Sequence, residues 1–171
     1  MKRTTFLTAA IMAFSLPATV MAKPVDWTPV LSSLENGCDQ STVILAIQDS
    51  FKYQAPKLRL REPYQSSVVK TTKGQKASKA NKPFGDYESS VYIKDGFYYG
   101  LPLERITYYF DNYGSSFLVF ELALNAPLSK SKQQLKSKNV RYKKVWNEVS
   151  EAMDYAVVEG NSNKTYVRCY L

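Results

Sequence analysis

Hydrophobic and polar positions change rhythm three times along the chain. Residues 1–22 begin with Lys2-Arg3, continue as an apolar stretch from Phe6 to Val20 and end in small residues at Ala22. That is the layout of a secretory signal peptide cleaved after Ala22. A transmembrane anchor wants roughly 20 apolar residues, whereas this stretch is interrupted by Ser15, Pro17 and Thr19. The chain therefore divides into a signal peptide, 1–22, and a single domain, 23–171, with no transmembrane segment expected after signal removal.

Helical spacing comes next. Asp26-Trp27-Thr28-Pro29 offers a cap and an early proline, Val30, Leu31 and Leu34 share a face, and Gly37 is a stop, which predicts a short helix over 28–36. Asp39 or Ser41 caps a second segment in which Val43, Ile44, Ile47 and Phe51 recur at helical spacing, although its β-branched residues also suit a strand. The pattern weakens from Ala55 to Pro83. Residues 57–61 and 66–72 suit edge strands, while 73–83 carries Lys at about every third position and no large apolar side chain. Such a stretch buries too little to offset its ordering entropy and reads as a mobile exposed loop.

Period two takes over at Ser89. Residues 89–94 alternate and end in Asp95-Gly96, a turn dipeptide. In 103–111, Ile106, Tyr108 and Phe110 take one face and Arg105, Thr107 and Tyr109 the other; Asp111–Gly114 turns the chain, and 117–124 returns with Leu118, Phe120, Leu122 and Leu124 aligned. This predicts an antiparallel hairpin. Asn125-Ala126-Pro127 caps a helix to about Lys138. Apolar residues at 145, 146, 149, 152 and 153 predict another helix over 142–153, and 155–159 with 165–170 form a second hairpin. The sum is an α+β fold, an antiparallel sheet of about five or six strands with two to four helices packed mainly on one face.

Composition narrows the chemistry. Cys38 and Cys169 are the only cysteines, and in an oxidising compartment such a pair reads as a disulfide. Closing so long a loop removes about 5 kcal/mol of unfolded-chain entropy. The chain has no histidine, which excludes Ser-His-Asp triads, Cys-His dyads and HExxH zinc sites. Ser67-Val68-Val69-Lys70 and Ser129-Lys130-Ser131-Lys132 match the S-x-x-K pattern, but the first is strand-prone and the second lysine-crowded. Two carboxylate pairs, Asp86 with Glu88 and Glu148 with Glu151, leave a small carbohydrate-active enzyme as the alternative reading. No metal-ligand spacing and no phosphate-cradling glycine loop is visible, so neither metal, cofactor nor catalytic set is expected.

Charge and tyrosine point to binding. Residues 52–82 carry nine Lys/Arg against Glu62 alone, and 130–144 carry seven with no acid, so the basic surplus is local. Tyr98, Tyr99, Tyr108, Tyr109 and Tyr113 cluster, and alternation turns some of them away from a one-sided core. The candidate binding surface is Tyr109 and Phe117 with Arg105 and Tyr113, edged by Lys73, Lys76 and Lys79. The expectation is a periplasmic or secreted, non-catalytic binding protein with an acidic protein partner. An inhibitor or immunity-type protein directed at an envelope-targeted enzyme or toxin is its concrete form. Anionic envelope polymer is the other candidate ligand. Nucleic acid is not expected, because the lysines are not interleaved with stacking aromatics.

Overall fold

A computed structural model describes residues 23–52, 57–111, 118–148 and 151–170. Residues 1–22, expected to be a signal peptide, and Tyr113 and Phe117 of the expected hairpin lie outside the described residues. In chain order, β1 (Val25–Asp26) leads into α1 (Thr28–Leu31), which tightens into a 3-10 turn at Ser32–Glu35. Then come α2 (Thr42–Lys52), α3 (Tyr64–Ser67), β2 (Val68–Lys76), β3 (Tyr87–Tyr98), β4 (Leu101–Phe110) and β5 (Val119–Leu124). The remainder is α4 (Leu128–Ser137), β6 (Val145–Asn147), β7 (Ala152–Gly160) and β8 (Thr165–Tyr170).

The strands form one sheet in the order β1-β3-β4-β5-β8-β7-β6, with β2 also paired to β3. β3 is long enough to serve two partners on one edge, antiparallel β2 along its first half and parallel β1 at Gly96 and Phe97. The other strand pairs are antiparallel. The α+β class stands, but among the described residues the sheet has eight strands rather than five or six.

Local sequence explains the helices. The Thr28 N–H donates to Asp26 Oδ1 at 2.9 Å, an Asx turn that leads into α1, and Ser41 Oγ accepts from the Ile44 N–H at 3.4 Å to start α2. Val30, Leu31, Leu34, Ile44, Ile47 and Phe51 pack with Val91, Ile106, Tyr108, Phe120, Leu122 and Val167 in a single cluster on one side of the sheet. Each such side chain contributes about 1.5–3 kcal/mol by leaving water. The disulfide is present: Cys38 and Cys169, Cα atoms 5.6 Å apart, tie the turn after α1 to the last strand.

Four further expectations are corrected. Residues 142–153 are not a helix: Val145–Asn147 and the start of β7 pair antiparallel, Trp146 opposite Met153. Apolar residues at 145, 146, 152 and 153 satisfy either period, and cross-strand pairing decides. Residues 73–76 are not loop but the end of β2, opposite Glu88 and Tyr87; backbone pairing to β3 supplies what their side chains lack. Residues 57–61, in turn, form no strand. Asp95-Gly96 also makes no turn. β3 runs through it with a shift in register after Tyr92, and a Cβ on Gly96 would lie 2.3 Å from Ile93 Cγ2 and 3.1 Å from the Trp27 ring. That glycine gives buried Trp27 its seat, and the chain reverses instead at Tyr99-Gly100, where both φ values are positive.

Candidate binding surface

The strand registers define the sheet face away from the helices. Its middle row reads Thr72, Ser90, Thr107, Glu121, Arg168, Val157 across β2, β3, β4, β5, β8 and β7. One flanking row is Lys70, Tyr92, Arg105, Ala123, Tyr166, Glu159, and the other Gln75, Glu88, Tyr109, Val119, Tyr170, Tyr155. At its centre Glu121 is only 1% exposed. Its Oε2 accepts from Arg168 Nε at 2.7 Å, and its Oε1 accepts from the Tyr109 hydroxyl at 3.2 Å and from Arg105 Nη2 at 3.4 Å. Arg168 also donates from Nη1 to Glu159. A carboxylate taken out of water is tolerable when its oxygens are occupied in this way.

Part of this face is roofed by the connection from β2 to β3. The ring of Phe84 stands 5.6 Å from that of Tyr109 and 4.1 Å from the Arg168 guanidinium carbon, while Asn81 Nδ2 donates to Glu88 Oε2 at 3.0 Å. A Cβ on Gly85, whose φ is +153°, would lie 2.6 Å from the Phe110 nitrogen, so only glycine lets the strap run this close to β4. Burial first, then the negative charges of Glu121 and Glu88, pushes the Tyr109 hydroxyl well above its ordinary pKa. Arg105 is raised as well: burial opposes its charge, but its bond to Tyr92 and the proximity of Glu121 outweigh that.

The sequence-derived candidates therefore scatter. Tyr109 and Arg105 do meet on the helix-free face, yet Tyr109 is fully buried and offers no contact area itself. Lys73 points to the other side, donating to the Ser50 carbonyl at 3.1 Å. Lys76 and Lys79 are exposed at the end of β2 and just beyond it. Phe117 and Tyr113 are outside the described residues. Ser67 of the first S-x-x-K match is buried, accepting from Trp27 Nε1 at 3.2 Å and donating to the Tyr64 carbonyl at 2.8 Å, while Lys70 lies 5.5 Å over the Tyr92 ring. Of the carboxylates, Asp86 pairs with Lys82 at 3.8 Å, and Glu148 and Glu151 are exposed where the chain turns from β6 to β7.

The exposed aromatic surface lies further along the same face. Trp146 is 58% exposed and Met153, opposite it, 40%. One step along β7, Tyr155 stacks on Tyr170 with ring centroids 5.4 Å apart, and Lys144 Nζ sits 4.9 Å over the Tyr155 ring. This strip is held at its base. The Lys143 N–H donates to the Glu35 carbonyl at 2.7 Å, and the Gly37 N–H donates to the Lys143 carbonyl at 3.2 Å. The helical reading of 142–153 concealed the strip by turning Trp146 inward; the run Lys143-Lys144-Val145-Trp146, with two cations beside a β-prone pair, was the signal that could have found it. No family model, curated protein or solved structure matches the chain.

Proposed function

We propose that the protein is an exported binding protein whose contact surface is the strip of Trp146, Met153, Tyr155 and Tyr170, with Lys143 and Lys144 beside it. The observation that carries the reading is the contrast between the two tryptophans. Trp27 is fully buried, whereas Trp146 keeps more than half its surface in water on a paired strand. Tryptophan and tyrosine are the commonest anchors of protein interfaces because they bring large area at low entropic cost. The lysines select a partner presenting acidic groups and speed its approach.

An acidic protein, the target of an inhibitor or immunity-type protein in the envelope, fits this surface. The disulfide, and the absence among the described residues of a helix long and apolar enough to cross a membrane, are compatible with export. Photo-crosslinking in intact cells tests the reading, with a benzophenone amino acid at position 146 and, as control, at exposed Val69 on β2. A discrete acidic polypeptide adduct at 146, absent at 69 and lost in Lys143→Glu/Lys144→Glu, is the expected result. Identical adducts at both positions, or adducts to envelope polymer alone, would refute it.

A further inference from the structure

On the other side of the same chain segment lies a cleft of about 440 Å³ between the end of α4 and β7. Lys132, Leu135 and Lys136 reach it from α4, Arg141 and Tyr142 from the segment between α4 and β6, and Val158 from β7. Its volume falls within the range of small-molecule sites.

The cleft is built from local sequence. Lys132, Leu135 and Lys136 are three and four residues apart and so share one helical face. Asn139, with φ +56°, ends the helix; its N–H donates to the Lys136 carbonyl at 3.0 Å and the Val140 N–H to the Leu135 carbonyl at 3.0 Å. The closing carbonyls are thus already engaged by backbone donors, and the lysines are not recruited as caps. Among the described residues, neither Lys132, Lys136 nor Arg141 forms an ion pair, and no carboxylate lines the cleft.

The wall is rigid. The Tyr142 hydroxyl is hydrogen-bonded to that of Tyr98 at 3.1 Å, and the neighbouring Tyr99 hydroxyl donates to Glu35 Oε1 at 2.5 Å. Leu135 and Val158 pack against the core and give the cleft an apolar floor. Three unpaired cations over an apolar floor and a fixed phenol select a ligand with an anionic head and an apolar body. A guanidinium beside two ammonium groups suits a phosphate, which accepts from both kinds of donor.

We propose that this cleft binds a phosphate monoester carried on a ring or acyl chain, at a site separate from the Trp146 strip. The probe is phenyl phosphate, followed by amide and side-chain NMR on the mature protein, with benzyl alcohol as the uncharged control and phosphatidic acid vesicles as a second arm. The expected result is saturable shifts at Lys136, Asn139 and Tyr142 with a dissociation constant of about 1 mM or tighter. Lys136→Gln/Arg141→Gln should weaken binding at least roughly tenfold with the spectrum of the core unchanged, and Trp146→Ala should leave it unaltered. Phenyl phosphate binding assigns the site to a free phosphate ester, and vesicle binding alone, with the same loss in the double variant, to a lipid headgroup. Linear shifts spread over all surface lysines, or equal binding of benzyl alcohol, would overturn the proposal. A failure confined to this cleft leaves the Trp146 strip standing, because the two rest on different side chains.

Discussion

Glu121 is the residue on which the helix-free face depends. Two arginines and a tyrosine converge on its carboxylate inside a protein interior, so removing it strands Arg168 with Glu159 as its remaining ion-pair partner. Glu121→Leu should cost about 3–5 kcal/mol, measured by urea unfolding. Lys82→Ala, which breaks only the exposed pair with Asp86, should change stability by less than about 0.5 kcal/mol. The tyrosines make a separate prediction. Burial raises Tyr98, Tyr108, Tyr109 and Tyr142, and burial together with the bond to Glu35 pushes Tyr99 up to about 12. An acid whose folded pKa exceeds the unfolded value near 10 favours folding below that value and loses its contribution as pH climbs towards the folded pKa. Tyrosinate absorbance should therefore rise in two stages, the second coinciding with loss of circular dichroism above about pH 10. A single class of thirteen tyrosines titrating without unfolding would contradict this packing.

At the scale of elements, the β6–β7 hairpin depends on its seat against the turn at Gly37. A Cβ on Gly37, at φ +62°, would lie 2.4 Å from Val145 Cβ. Gly37→Ala should therefore destabilise the protein by about 1–3 kcal/mol, through a left-handed backbone and a displaced β6 together. The hairpin also marks the limit of what periodicity reveals. Val30, Leu31 and Leu34, or Ile106 and Tyr108, face one way under either local or tertiary rules, so α1, α2, α4 and the β4–β5 pair are legible in the chain. Val145, Trp146, Ala152 and Met153 satisfy both periods, and only the long-range neighbour Gly37 and the pairing with β7 choose between them. Asp95-Gly96 misleads for a similar reason: its glycine is required by Trp27, some 70 residues away in sequence. The candidate surface was half legible. Alternation placed Tyr109 and Arg105 on the helix-free face, but nothing local shows that Phe84 would cover Tyr109.

For the whole molecule, the charge and the disulfide belong to one design. The basic segment 130–144 flanks both the cleft and the Trp146 strip, while the Cys38–Cys169 bridge fixes the turn beside Gly37 to β8 across 131 residues of sequence. Cys38→Ser/Cys169→Ser should lose about 2–5 kcal/mol in urea unfolding. The protein recovered from the envelope should begin at Lys23, as its mass will show. Trp146, as the proposed anchor of an acidic protein partner, carries the functional reading. Calorimetric titration of the polypeptide captured by crosslinking at position 146 tests it most directly, with wild type and Trp146→Ala compared at low and physiological salt. Trp146→Ala should bind at least roughly tenfold more weakly, and both proteins should bind more weakly as salt rises; affinities within twofold of each other and indifferent to salt would contradict this role for Trp146.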